Sequence, residues 1–235
     1  MDWKGIRKVV CDYVFPVFCL QCRREGLILC MPCRKSLKAD GVFVCPVCRV
    51  PRPEGNTCSA CGVSSSLTQL ISLAVYNPGE PFGQLIEMWK YHMVEEVERF
   101  WETMCGEFVH RHGTALLTCD MIVPVPLHRR RYAERGFNQS ERLAILLSSL
   151  LDVPDACLLR RVRYTRQQAR LSQQDRKENV SNAFVVKQTN PDFHGKNILI
   201  VDDVFTSGAT MQECARVLVA AGAKTVSGFT LARRM

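Results

Sequence analysis

At 235 residues and 47% hydrophobic content, the chain has room for one full α/β domain and a small module beside it. No apolar run approaches the ~20 residues of a membrane span. The charged start, Met1 to Arg7, has no long apolar stretch or small-residue cleavage site behind it, so neither membrane insertion nor a signal peptide is expected, and the expected location is cytoplasmic. The formal net charge of +8 favours a polyanionic ligand such as pyrophosphate or nucleic acid.

Residues 1 to about 66 are cysteine-rich, and eight of the chain's thirteen cysteines fall there into four Cys-x-x-Cys pairs: Cys19/Cys22, Cys30/Cys33, Cys45/Cys48 and Cys58/Cys61. Under reducing conditions, pairs at this spacing read as knuckles that each give two thiolates to a tetrahedral zinc ion. Sequential pairing makes one site of Cys19, Cys22, Cys30 and Cys33 and another of Cys45, Cys48, Cys58 and Cys61. An interleaved pairing, first knuckle with third and second with fourth, is also open on spacing. Four sulfurs leave no place for water, so the zinc would be structural. A segment this poor in core residues depends on metal to fold. Filling both sites would lower the net charge to about +4. Cys11, Cys105, Cys119, Cys157 and Cys214 stand alone and read as small buried hydrophobes.

The run Ser64-Ser65-Ser66 marks a boundary, dividing the chain into 1–66 and 67–235. Leu70 to Tyr76 reads as a strand. Phe82, Leu85, Ile86, Trp89, Met93, Val97, Phe100, Trp101 and Met104 recur at helical spacing, predicting one amphipathic helix packed on the main domain. Met121 to Val125 is a second strand, and Pro124 puts it at a sheet edge or ends it there. Leu127 to Ser140 is polar and basic, and Glu141 to Leu151 is helical. Residues 160–182 are rich in Arg and Gln without periodicity, which reads as a long functional loop. Val180 to Lys187 is a short strand, Ile198 to Val201 a strand buried on both faces, and Lys224 to Leu231 the last strand. This alternation gives an α/β fold with a mainly parallel sheet and ligands at the carboxyl ends of its strands.

Asp202 and Asp203 stand at the end of the Ile198–Val201 strand, and Thr206-Ser207-Gly208-Ala209-Thr210 opens a helix running to Gly222. A helix start offers free N–H groups and the positive end of a dipole, which suit a phosphate. Carboxylates beside it would repel that phosphate unless they hold ribose hydroxyls or a bridging Mg²⁺. The combination asks for a sugar phosphate. Positive charge is concentrated between His128 and Lys187, where thirteen Lys/Arg face six Asp/Glu.

Three further segments carry a family resemblance. Val123-Pro-Val-Pro-Leu-His128 continues through Arg131, Arg135-Gly-Phe-Asn-Gln-Ser140 and Leu143-Ala144. Leu159-Arg160 leads to Thr165, Gln168, Leu171, Arg176, Asn179-Val180 and Ala183-Phe184. With the Asp-Asp turn, their order and spacing closely resemble the ComF family of bacterial competence proteins. The resemblance implies an N-terminal double zinc ribbon and a type I phosphoribosyltransferase-like domain. It also implies a role in natural transformation with single-stranded DNA and other competence proteins as partners. The chain departs from the family at Tyr91-His92-Met93, where relatives often carry Lys-Tyr and then a glycine-containing turn. The Asp-Asp turn itself resembles the 5-phosphoribosyl-1-pyrophosphate (PRPP) loop of type I phosphoribosyltransferases. The order of parts also fits the glutamine amidophosphoribosyltransferases. By that likeness Asp202 and Asp203 would hold ribose hydroxyls with Mg²⁺, and Thr206 to Thr210 the 5′-phosphate. Leu127 to Gly136 would be the pyrophosphate loop, with Arg129, Arg130 and Arg135 as clamps, and residues 160–179 a flexible loop bringing Arg163 and Arg176.

Two functions of different class follow. One is a competence protein that handles single-stranded DNA and retains a PRPP and Mg²⁺ site. Its arginines would track the DNA backbone, with Tyr132, Phe137 and Tyr164 as stacking surfaces. The other is an active enzyme that transfers 5-phosphoribose from PRPP to a base or amine with release of pyrophosphate. Neither needs a protein nucleophile, and Cys214 is assigned no catalytic role.

Overall fold

The computed structural model describes residues 17–37, 39–77, 79–91, 95–116, 118–164, 178–187 and 192–234. Within it the apolar runs pair into one sheet of order β1 (Val42–Phe43), β2 (Gln69–Val75), β7 (Thr225–Arg233), β6 (Asn197–Phe205) and β3 (Met121–Pro124). All neighbours run parallel except β1 and β2. Ile198–Val201 lie in the middle of the sheet with at most 1% exposure, and Val226, Phe229 and Leu231 are fully buried beside them. Each such side chain contributes about 1.5–3 kcal/mol relative to exposure. A one-residue slip of β6 would draw Asp202 into the core, so the register is firmly specified.

β6 is longer than its apolar run. β7 continues alongside it, pairing Asp202 with Thr230, Val204 with Ala232 and Phe205 with Arg233. β3 sits at the sheet edge and ends at Pro124, where a missing N–H costs nothing. A separate antiparallel pair joins β4 (Leu159–Arg161) to β5 (Phe184–Val186). Arg160 and Arg161, expected in a loop, are therefore strand residues. Their partner strand decides this, and three residues are too few to show a period.

The helices are α1 (Met31–Lys35), α2 (Ser59–Gly62), α3 (Pro81–Tyr91), α4 (Glu95–Leu116), α5 (Arg129–Arg135), α6 (Gln139–Leu151) and α7 (Ala209–Ala220). The single helix expected over Phe82–Met104 is two, and the second runs on to Leu116. Of the family departure at Tyr91-His92-Met93, Tyr91 ends α3, while His92 and Met93 lie outside the described residues, as does Cys11. Among the described residues no helix is long and apolar enough to cross a membrane.

Two compact units result. One takes in Met1–Lys38, described from Val17, and Asn77–Trp101; the other takes in Ala39–Tyr76 and Glu102–Met235. This division differs from the one read at residue 66. The reason is local: β1, inside the cysteine-rich segment, pairs Val42 with Ser72 and Phe43 with Ile71 of β2. In the first unit Trp101 is packed by Phe82, Trp89 and Phe100 at ring distances of 5.2, 6.0 and 4.9 Å. In the second, Phe108 lies 5.8 Å from Phe229 of β7. A hydrogen bond of 2.8 Å joins the buried Ser72 and Thr230 hydroxyls across β2 and β7, so neither is left unpaired in the core.

The cysteines gather sequentially, which settles the pairing that spacing left open. Cys19, Cys22, Cys30 and Cys33 form one group and Cys45, Cys48, Cys58 and Cys61 another, with all sulfurs of a group within 4.8 Å of one another. Cys22 and Cys30 Sγ are 3.5 Å apart, and Cys48 and Cys58 Sγ 3.8 Å. Two ligands at ~2.3 Å from a tetrahedral ion stand ~3.8 Å apart, so the groups fit zinc.

The two groups repeat one local geometry. Cys19 N–H donates to Arg24 O and Cys45 N–H to Val50 O, while Arg23 and Arg49 N–H donate back to Cys19 and Cys45 O. Arg23 and Arg49 take φ of +60° and +65°, where glycine is the easy choice. Cys30 and Cys58 are the N-caps of α1 and α2, and Cys33 and Cys61 lie within those helices. Burial alone would raise the Cys19 and Cys45 thiols, but backbone N–H donors outweigh it and bring each down to about 6. Cys33 and Cys61, hydrogen-bonded to the sulfurs of Cys30 and Cys58, are pushed up to about 12. Cys58 is lowered as well, chiefly by its hydrogen bond with the Cys61 sulfur, and metal entry would release protons from the thiols that still hold them.

Metal analysis of the purified protein is expected to find two zinc ions per chain, one for each sulfur group. Cys58→Ser/Cys61→Ser should lower the content to one. A double variant that still holds two ions would remove the second group from the metal sites.

Candidate functional site

β6 delivers two carboxylates to the open end of the sheet. Asp202 Oδ1 accepts from the Ser140 hydroxyl at 2.9 Å and from the Asp203 N–H at 2.9 Å. Asp203 Oδ1 accepts from the Val204 N–H at 2.6 Å. Both acids stay partly exposed while Phe205 turns back into the core.

The chain then turns through Thr206 and Ser207 into α7. Its N-cap is Gly208, at φ +78° and without a side-chain cap, and the first turn of the helix carries no acid. A Cβ on Gly208 would come within 2.4 Å of the Phe205 ring, so glycine is required by space as well as by conformation. The Ala209 N–H has only a 3.5 Å contact with Ser207 Oγ. A twelve-residue helix thus presents its positive end one short turn, Val204 to Ser207, after a pair of carboxylates. That arrangement can accept a phosphate at the turn and hydroxyls or a hydrated divalent cation at the acids.

The Arg-Gly-Phe-Asn-Gln-Ser run explains itself here. Gly136, at φ +79°, ends α5, and Phe137, Asn138, Gln139 and Ser140 are all buried. Asn138 caps α6 through the Ser140 N–H and donates to Val125 O at 3.1 Å. Ser140 is thereby aimed at Asp202. Neither Asn138 nor Ser140 had been read as a site residue. Four buried polar or aromatic residues between a strand and a helix are the signal that could have found them.

The basic residues divide. Leu127–Gly136, expected as a loop, contains α5, because His128 Nδ1 caps the Arg130 N–H at 3.2 Å and Gly136 stops the helix. Arg129 and Arg130 are exposed. Arg130 sits 5.2 Å over the Tyr164 ring, which also meets His128 at 5.0 Å, and pairs with Glu134 at 4.0 Å. Such an exposed pair contributes under ~1 kcal/mol, so Arg130 could exchange it for a phosphate at little cost. Arg135 donates to Gln139 at 3.2 Å and Arg163 to Ser181 O at 3.3 Å. Arg176 and most of the 160–179 segment lie outside the described residues. Arg161 was missed: burial lowers its pKa and Arg131 adds to that, while Cys214 and the Asp202 carboxylate oppose. Phe137 is only 8% exposed and offers no stacking face, unlike Tyr132 at 46% and Tyr164 at 36%.

The lone cysteines of the described residues are buried at 105, 119 and 214, but Cys157 is exposed. Burial pushes Cys105 up to about 12 and Cys119 up to about 11, and raises Cys214 as well, which leaves them inert as nucleophiles. A cleft of about 340 Å³ flanks the turn, with Pro46 and Val47 of the second cysteine group on one wall and Ser207, Ala209 and Gln212 on the other.

Residues 137–235 match the family model described as phosphoribosyl transferase domain. The DNA utilization protein YhgH of Escherichia coli K12 is 33% identical over 226 residues, covering 88% of this chain and 97% of that one. Competence protein ComFC of Bacillus subtilis is 28% identical, covering 97% of each chain. Competence protein F of Haemophilus influenzae is 29% identical, covering 92% of this chain and 96% of that one. Among solved structures, the glutamine PRPP amidotransferase of B. subtilis is 19% identical with a TM-score of 0.42, covering 62% of this chain but 30% of its own. The adenine phosphoribosyltransferase of Leishmania donovani is 10% identical with a TM-score of 0.39, covering 69% of this chain and 83% of its own. At such scores these two likenesses say nothing of activity. The sequence relatives match almost from end to end, and with them this chain belongs to the ComF family of competence and DNA-utilization proteins.

Proposed function

We propose that this protein binds PRPP or a related sugar phosphate with Mg²⁺ at the turn between β6 and α7, and handles single-stranded DNA in natural transformation. One observation carries the first half: two carboxylates stand at the end of β6 beside an uncapped helix start entered through Gly208. The backbone and hydroxyls of Thr206–Thr210 would hold the 5′-phosphate. Asp202 and Asp203 would take the ribose hydroxyls, and Mg²⁺ would offset charge between them and the pyrophosphate. Ser140 holds Asp202 in its rotamer. Arg161 joins Arg129, Arg130, Arg135, Arg163 and Arg176 as a candidate for pyrophosphate or for the DNA backbone.

The second half draws on the names of the relatives, on Arg130 lying over the Tyr164 ring, and on the exposure of Arg129 and Tyr132 on the same helix. Arginines there can meet phosphates while the tyrosines stack on bases. Other competence proteins are partners consistent with that role.

A second reading, transfer of 5-phosphoribose to a base or amine, draws on the same carboxylates and turn. The bond from ribose C1 to pyrophosphate would break, with positive charge building on the ring and negative charge on the leaving group. Arginines near the acids would stabilise the latter. Pyrophosphate release that depends on an added base or amine is the sign of it.

Calorimetric titration of PRPP with Mg²⁺ into the zinc-loaded protein is expected to give saturable binding. Asp202→Asn/Asp203→Asn should weaken it by about 100-fold, the worth of two charge-assisted hydrogen bonds. A folded wild type that takes up no PRPP would overturn the sugar-phosphate reading.

Single-stranded DNA affinity should fall steeply with salt. Arg129→Ala/Arg130→Ala should flatten the log–log slope by about 1.4, at ~0.7 per phosphate contact. An unchanged slope would take those two arginines off the DNA path.

A further inference from the structure

Arg233, on β7, is 1% exposed, and its nearest acceptors are main-chain carbonyls. Nη1 donates to Val44 O at 3.4 Å and Nη2 to Cys45 O at 3.2 Å. Cys45 is a sulfur donor of the second cysteine group. The other side of the guanidinium lies 5.0 Å over the Phe205 ring. That ring is the one pressed against Gly208, the N-cap of the phosphate turn. A single buried side chain thus touches the metal knuckle on one side and the prop of the turn on the other.

The backbones around it are already fixed. Phe205 and Arg233 are register partners, Arg234 N–H donates to Phe205 O at 2.9 Å, and Tyr76 N–H donates to Arg233 O at 2.7 Å. What remains to vary is how the guanidinium and the ring sit. Four thiolates around one Zn²⁺ carry a net charge of about −2, so a filled second group places a dianion beside this buried cation. An emptied group loses the tetrahedron that sets the Cys45 carbonyl. Arg233 would then lose an acceptor in a place where water cannot replace it.

We infer that Arg233 is a positioning residue that couples the second cysteine group to the phosphate turn, so that metal there and sugar phosphate at Thr206–Thr210 strengthen each other's binding. This rests on the reading of the turn as a phosphate site. The coupling runs from the Cys45 carbonyl through the guanidinium and the Phe205 ring to Gly208. Because linkage is reciprocal, each ligand must raise the other's affinity by the same factor. The first group shares none of these contacts among the described residues and should be indifferent.

The test uses the full chain loaded with two zinc ions, with ribose 5-phosphate as probe. Zinc affinity is measured by competition with a chromophoric chelator, with and without saturating probe. In the wild type the probe is expected to tighten one of the two ions by about tenfold, the scale of a desolvated cation–π contact with its hydrogen bonds. Arg233→Met, which keeps the volume, should abolish that effect and weaken probe binding by about the same factor. Arg233→Lys should restore part of it, and Phe205→Leu tests the ring should Arg233→Met fail to fold. A wild type that binds the probe while both zinc affinities stay unchanged would overturn the coupling alone. A wild type that does not bind ribose 5-phosphate would overturn the phosphate reading, and the coupling with it.

Discussion

The pairing of β6 with β7, nine residues each, runs on past the four-residue apolar stretch of β6, and that overrun creates the chemistry at the sheet's edge. Hydrogen bonds between parallel strands do not depend on the side chains they carry. The ladder can therefore hold Asp202, Asp203, Phe205 and Arg233 in fixed positions although three of these residues are charged. The four apolar residues upstream anchor the register, and everything at the open end inherits its precision from them. β3 and the buried start of α6 complete the frame by bringing Ser140 to Asp202.

The cysteine-rich part follows a different economy. Its helices have five and four residues, and its strand in the main sheet has two, so little of it is held by apolar burial. Sulfur geometry replaces a core. Around the second group the protein also supplies a charge: burial pulls Arg233 down to about 10, with Arg49 adding to that and the Cys45 and Cys48 sulfurs opposing. At neutral pH it remains a cation.

Much of this was legible in the residues alone. Ile198–Val201 announced a doubly buried strand because both of its faces are apolar, and Asp202-Asp203 with the small-residue turn announced a pair of acids leading into a helix start. The length of β6 was not legible, since it depends on where β7 ends. The α5 helix was hidden because Arg129–Arg135 has no apolar stripe and is held by caps at His128 and Gly136. Phe137 looked like a surface aromatic among arginines, but the turn after α5 points it inward. Arg161 was passed over for its neighbours because a three-residue strand shows no period, and only the fold brings it under the influence of Asp202. The four knuckles were plain, but their pairing is a three-dimensional fact that spacing does not contain.

Arg23 and Arg49 hold left-handed backbone at a cost of order 1 kcal/mol each, a strain that persists only where the surroundings over-determine it. In these knuckles the sulfur tetrahedron is what over-determines it. Cys22 and Cys30 Sγ at 3.5 Å, and Cys48 and Cys58 Sγ at 3.8 Å, are a short step from the ~2.05 Å of a disulfide. Without metal, the relaxing knuckle has a covalent exit in any oxidising solution, and oxidation then competes with refilling. Zinc can refill an oxidised group only after reductant has reopened such a bond, so for this chain reductant has to precede metal.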